Sequence, residues 1–305
     1  MAGYLVRRIL AFVPLIWAIA TITFFLMHAV PGGPFDREKE LPPAVVAALE
    51  KKYNLDGTIW EQYVGFLSDL AHGDLGLSFA QNRPVTTIIR ERLPKSMQLG
   101  VAAFAFALVG GLTLGIVSAV RQNSLVDYFS VILATIGASV PNFVLAVFLV
   151  LFFSLQLGWF DVLGWELGNY RKMVLPIVSL GLLPLALIAR VTRASMLEVL
   201  RQDYIRTARA KGLDEFRVVM RHAVRNALIP VLTIAGPIFA GLVTGSFIIE
   251  RFFAIGGIGT AFVDAVTLRD YGMIMGTTLM FAVAIAVMNL AVDIAYAIVD
   301  PRIRY

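Results

Sequence analysis

No cysteine occurs among the 305 residues. That excludes a disulfide framework, a thiolate metal site and a cysteine nucleophile. There are three histidines, and neither a His-Glu-x-x-His nor a Gly-x-Ser-x-Gly pattern is present, which leaves zinc-peptidase and serine-hydrolase chemistry without its residues. The Gly-x-x-x-x-Gly-Lys-Ser/Thr loop that cradles nucleotide phosphates is missing as well. Charge is sparse, at 15% of residues with 58% apolar, where soluble domains carry about a quarter charged residues. There is no low-complexity tract and no convincing internal repeat. Transporters built from inverted repeats within one chain are thereby disfavoured, and a symmetric pore needs a second subunit.

What is present is apolar length. Six stretches, near 9–30, 98–120, 128–153, 173–189, 227–249 and 272–299, are long enough to cross about 30 Å of hydrocarbon as helices. The first follows Arg7 and Arg8 but exceeds a signal peptide's apolar run and lacks a small-x-small cleavage pattern, so it reads as a retained anchor. The fourth is short and interrupted by Pro176 and Pro184. An even number of spans puts both termini on one side with segments 121–127 and 190–226. These four pieces hold 14 of the 26 Lys and Arg against six acids, so that side is expected to be cytoplasmic. The net charge of +5 is thus a topology signal and not a sign of nucleic-acid binding.

The chain divides into an N-terminal tail and first span (1–30), an outer subdomain (31–97) and a five-helix core (98–305) that includes the inner segment 190–226. In the outer subdomain Pro42-Pro43 precedes a helical stretch, Ala44 to Lys52. Gly73-Asp74-Leu75-Gly76 reads as a turn, and Leu93-Pro94 as a stop before the second span. The subdomain is either a cap over helix ends or a contact surface for another protein.

The inner segment carries the most information. Asp203 suits an N-cap, Lys211 the negative end of a helix, and Gly212 a C′ position, which predicts a helix of about two turns. Asp214 caps a second short helix, with Leu213 and Val218 placed for a hydrophobic staple. Ala208 and Ala210 leave little bulk on the first helix, and Arg206, Arg209 and Lys211 surround it with positive charge. Two readings stand: a basic loop held at an anionic leaflet, or a helix that lies in a groove of another protein.

Thr207-Ala208-x-x-x-Gly212 with the later Leu228-Ile229-Pro230 resembles the coupling motif of ABC importer permeases. Arg206, where that family usually has Glu, and the long Gly-to-Pro interval look like its peptide branch. Other fragments resemble dipeptide and oligopeptide permeases in the same order: Pro31-Gly32-Gly33-Pro34, Gln62-Tyr63, Gly73-Asp-Leu-Gly-Leu-Ser78, Pro84-Val85, Ser139-Val140-Pro141, Arg269-Asp270-Tyr271, Asn289-Leu290, Asp293, Tyr296 and Asp300-Pro-Arg-Ile-Arg-Tyr305. Gly33 for Asp, and Gly256 where Pro is usual, depart from the pattern.

The resemblance implies an all-α polytopic protein of the bacterial or archaeal plasma (inner) membrane. It would have six transmembrane helices, an ordered extracytoplasmic segment after the first, and two short cytoplasmic coupling helices between the fourth and fifth. Asp203, Tyr204, Arg206, Thr207, Ala208, Ala210, Lys211, Gly212 and Leu213 would dock an ATPase. Expected partners are a homologous second permease, two ABC ATPase subunits that hold ATP and Mg, an extracytoplasmic substrate-binding protein and the bilayer. This chain would bind no cofactor or metal and would catalyse nothing. Peptide is the implied cargo, with nickel or glutathione import, or a self-sufficient secondary transporter using Asp293, as alternatives.

Several polar residues fall inside apolar spans, where they must face protein or water. Asp293, with Asn289 one turn earlier, is either a proton or substrate site or a packing contact between helices. Ser139, Pro141 and Asn142 interrupt the third span as a kink, or as pathway lining or a gate. His28 is expected at the membrane interface and, as a lone His, makes a poor metal site. Glu250-Arg251 is expected as a solvated pair or as a contact for the binding protein.

Overall fold

The computed structural model describes residues 2–31, 42–53 and 55–299. Gly32, Gly33 and Pro34 of the first motif and the ending Asp300–Tyr305 lie outside these, as does the side chain of Tyr296. Over the described residues the chain is mostly helical. In order it forms α1 (Ala2–Ala29), α2 (Pro43–Lys52), α3 (Ile59–Ala71), a two-stranded antiparallel hairpin β1 (Leu77–Ser78) and β2 (Arg83–Pro84), then α4 (Val85–Val120), α5 (Leu125–Ser139), α6 (Asn142–Leu149), α7 (Tyr170–Leu200), α8 (Asp203–Ala210), α9 (Glu215–Arg217), α10 (Val224–Val243), α11 (Phe247–Phe252), α12 (Ile258–Thr267) and α13 (Tyr271–Val299). π-helical turns continue α6 over Val150–Gln156 and join α9 to α10 over Val218–Ala223.

Among the described residues five helices are long and apolar enough to cross a membrane, or six if the bent pair Leu125–Gly137 and Asn142–Gln156 counts as one span. The protein is therefore a polytopic all-α membrane protein. Several expected boundaries are corrected. Pro94 does not stop a helix but lies inside α4. The fourth span is not short, because α7 runs unbroken for 31 residues through Pro176 and Pro184. Prolines are tolerated inside such helices where neighbouring groups satisfy the freed carbonyls. Pro141 does end a helix: Val140 before it is extended, at φ −91° and ψ 124°, as the residue preceding a proline prefers.

Two compact units result, one from residues up to Ser96 with Gly256–Val287, the other from Met97–Ile255 with the chain from Met288. In the first, Phe24 and Met27 of α1, Tyr63 of α3 and Met275 of α13 form one buried cluster. A second joins Val85 and Ile88 to Ile258, Ala261 and Met273. Thr58 and Glu61 form a capping box at the start of α3, and the Thr58 amide and hydroxyl together hold the Glu61 carboxyl below the usual range.

In the second unit α4 and α7 pack along small residues. A Cβ on Gly111 would stand 2.8 Å from the Ile188 side chain, and one on Gly115 2.7 Å from the Ala189 carbonyl oxygen. Close backbone approach of this kind is how helices gain contact area where lipid supplies no hydrophobic drive between them.

Candidate functional site

Helix α8 follows α7 after Arg201 and Gln202. Gln202, and not Asp203, is the N-cap, and it makes no side-chain cap bond. Asp203 occupies the first helical position, where its carboxylate pairs with exposed Arg206 at 3.4 Å and favours the positive helix end. At the other end Gly212 has φ +76°. Its N–H donates to the Arg209 carbonyl at 2.9 Å, and the Leu213 N–H to the Ala208 carbonyl at 3.4 Å. This is a Schellman termination, which needs a left-handed residue at C′. Arg209 bridges the joint to Glu215 at 2.6 Å.

The expectation of a second separate short helix is corrected. Asp214 does cap it, accepting from the Phe216 N–H at 3.1 Å. The helix then continues through the π-helical turn into α10, because Val218, Val219, Ala223 and Ala227 are buried in succession and leave no apolar gap for a break.

The faces of α8 separate cleanly. Ile205 and Ala208 are buried in a cluster with Ala119 of α4, Met196 of α7 and Val218 and Val219 of the π-helical turn. Ala208 thus serves the chain's own core and is not offered outward. Asp203, Tyr204, Arg206, Thr207, Arg209, Ala210, Lys211, Gly212 and Leu213 are exposed. Phe216, at 72% exposure, and Met220 extend this outward surface with apolar area. Neither stands out in the sequence, where both look like ordinary members of an apolar helix.

Behind this region lies a polar network that the sequence did not reveal. Asp127, 2% exposed, accepts from Arg193 Nε at 2.7 Å and Nη2 at 2.8 Å, from the Asn123 N–H at 2.9 Å and from the Ser118 hydroxyl. It ties the end of α4 and the start of α5 to α7. Ser124-x-x-Asp127 before an apolar run is a capping pattern that signals the helix start, but not the partner 66 residues away.

Ser139, Pro141 and Asn142 come together. They line a cavity of about 410 Å³ with Leu183 of α7 and with Ser246 and Ile249 at the α10–α11 break. Ser139 donates to the Thr135 carbonyl at 2.8 Å. Two helix interruptions, at Val140-Pro141 and at Ser246 between α10 and α11, therefore border one space. Glu250 is not solvated as expected. It is fully buried on α11 and accepts from the Ser246 N–H at 3.2 Å. Asn289 and Asp293 are half-buried, four residues apart on α13.

In the first unit two of the sequence fragments meet. Asp270 accepts from the Ser78 hydroxyl at 2.5 Å, the Phe79 N–H at 2.9 Å, the Ala80 N–H at 3.2 Å and the Met273 N–H at 3.2 Å. One buried carboxylate thus caps α13 and clasps the hairpin. His28 lies between the Phe24 carbonyl and Gln62, on the wall of a cavity of about 420 Å³. Among the described residues no group of His, Asp and Glu is arranged to hold a metal.

The chain is 42% identical over 306 residues to the oligopeptide transport system permease protein OppB of Haemophilus influenzae, covering all of both chains. It is 43% identical over 305 residues to the dipeptide transport system permease protein DppB of Bacillus subtilis, covering all of this chain and 98% of that one. Among solved structures, a chain of the inward-facing MetNI methionine ABC transporter has the same fold at 18% identity, with a TM-score of 0.55 over 70% of this chain and 97% of that one. Residues 1–100 match the N-terminal membrane component of binding-protein-dependent transport systems. Residues 111–305 match the binding-protein-dependent transport system inner membrane component, and this chain belongs to that family.

Proposed function

We propose that this chain is the translocation subunit of an ATP-driven importer of peptides. It pairs with a homologous second permease and two ABC ATPase subunits that bind ATP and Mg, and an extracytoplasmic binding protein delivers the cargo. Support comes above all from end-to-end similarity to OppB and DppB at 42–43% identity. Those relatives favour peptide over nickel or glutathione. The chain is a transport subunit and not an enzyme.

In this reading the chain crosses the inner membrane six times with both termini cytoplasmic, and 31–97 forms an extracytoplasmic subdomain. α8 is the coupling helix. Asp203, Tyr204, Arg206, Thr207, Ala210, Lys211 and Leu213, extended by Phe216, meet the ATPase. Ile205 and Ala208 pass its movement to Met196 and Ala119 at the ends of α7 and α4. The cavity between the two helix breaks, with Ser139, Pro141 and Asn142, belongs to the pathway. Asn289 and Asp293 serve helix packing.

Gly212→Val tests the coupling role. A β-branched residue held at φ +76° costs about 1–2 kcal/mol, and relaxation of the joint displaces Leu213 and Phe216 from the docking face. Peptide uptake by the reconstituted complex should fall while membrane insertion persists. Undiminished ATPase co-purification together with undiminished cargo-stimulated hydrolysis would defeat the assignment.

A further inference from the structure

Helix α3 carries more apolar surface than its own fold uses. At about 100° per residue its side chains fall into two arcs. Glu61, Gln62, Gly65 and Asp69 share the polar arc and line the cavity beside His28, with Asp69 exposed at its middle and Ser68 at its border with Val64. The apolar arc runs from Phe66 through Tyr63 and Leu67 to Trp60, Ala71 and Val64. Only part of it is packed. Tyr63 is 5% exposed and Phe66 and Leu67 join the cluster of Phe24, Met27 and Met275, whereas Trp60 is 66% and Val64 50% exposed, and Ala71 is exposed too.

The unused flank adjoins α1. The Tyr63 and Thr21 hydroxyls are 2.7 Å apart, and the Tyr63 ring lies 5.3 Å from Phe25 and 5.4 Å from Trp60. Phe25 is itself exposed, as are Ile22 and Leu26. They sit on the span Arg7–Ala29, whose most apolar 18 residues have a mean hydropathy of 2.4, with only 11% of them buried. The free flank of α3 is therefore continuous with the exposed apolar surface of a helix long enough to span the membrane.

We propose that α3 is an interfacial helix whose Trp60–Val64–Ala71 flank rests in the headgroup–acyl boundary at the Ala29 end of α1. Its polar arc then faces the aqueous cavity. Lipid is the occupant that the continuity with α1 selects, and an exposed Trp suits that boundary, with its ring body in the apolar zone and its N–H among the headgroups. A helix of 13 residues needs no independent membrane affinity here, because Tyr63 already fastens it to a spanning helix. The inference holds for either orientation of the chain and for any cargo.

The lack of cysteine makes the test direct. Val64→Cys, Ala71→Cys and, on the polar arc, Asp69→Cys are labelled with a nitroxide in the complete transporter, reconstituted in phospholipid vesicles. The same complex with the cysteine-free wild-type chain gives the background of the partner subunits. All three sites are exposed, so packing is left intact, and elution as the assembled complex checks it. Collisions with oxygen, which concentrates in lipid, should exceed those with a water-soluble nickel chelate severalfold at 64 and 71, and the order should reverse at 69. Nickel collisions dominating at 64 and 71 would place the flank in water. Loss of both kinds of collision there would place it under protein. Either outcome overturns the proposal.

Discussion

Removing Arg193 should harm this protein more than removing Asp127, although the two form one ion pair. The asymmetry follows from their exposure: the Asp127 side chain is 3% exposed and that of Arg193 28%. Arg193→Ala leaves a carboxylate out of water with only the Asn123 N–H and the Ser118 hydroxyl to satisfy it, and stranding one partner of a buried pair costs about 3–5 kcal/mol. Asp127→Ala leaves a guanidinium that reaches water and keeps its 3.0 Å bond to Ser118 Oγ. Its cost should be nearer the 1.5–3 kcal/mol typical of lost charge-assisted bonds. The double variant Asp127→Asn with Arg193→Gln strands no charge and retains an acceptor for Asn123. It should therefore be milder than either single alanine change. Thermal unfolding of the purified complex in detergent, followed by loss of monodisperse material, should rank the midpoints as wild type, double variant, Asp127→Ala, Arg193→Ala. If Asp127→Ala proves the worse single change, or the double variant is worse than both, the burial argument fails.

Gly115→Leu should cost about 1–3 kcal/mol by overpacking, because the Thr192 Cβ stands 2.5 Å from where its Cβ would lie; a lowered unfolding midpoint, with Gly115→Ala milder, checks this. Asp270→Ala should free the hairpin, seen as faster hydrogen exchange at the Phe79 and Ala80 amides, which both donate to that carboxylate; unchanged protection would show that the strands hold themselves. Asp293→Asn keeps shape and hydrogen-bonding capacity without the charge, so ATP-driven uptake in vesicles without a proton gradient should persist. Uptake that proceeds without ATP and collapses in this variant would replace the importer reading with a proton-coupled one.

Much of the fold was legible because apolar runs need no partner to be recognised: expected spans at 9–30 and 272–299 correspond to Ala2–Ala29 and Tyr271–Val299. Proline misled. Pro94, Pro176 and Pro184 lie within helices while Pro141 ends one, and whether a proline is tolerated depends on which neighbouring groups donate to the freed carbonyls, information that the local sequence does not hold. The Gly212 joint was readable because a left-handed residue after a basic helix end has few alternatives to glycine. Ala208 was not, since smallness suits both an outward groove and an inward contact, and only Met196 and Ala119 decide between them. Asp127 does not stand out in the sequence and Glu250 is expected there in solvent, for a shared reason. A carboxylate is expected in water, and its burial depends on donors, Arg193 and the Ser246 amide, supplied by the fold.

The clasp at Asp270 also bears on biogenesis. Ser78 and its acceptor lie 192 residues apart, so at about 5–20 residues per second a nascent chain runs for roughly 10–40 s between the two. During that interval the hairpin has emerged but lacks the carboxylate that fixes it. The hairpin is thus latched only when the last long helix begins to appear, and a chain cut short before Asp270 carries it without that carboxylate.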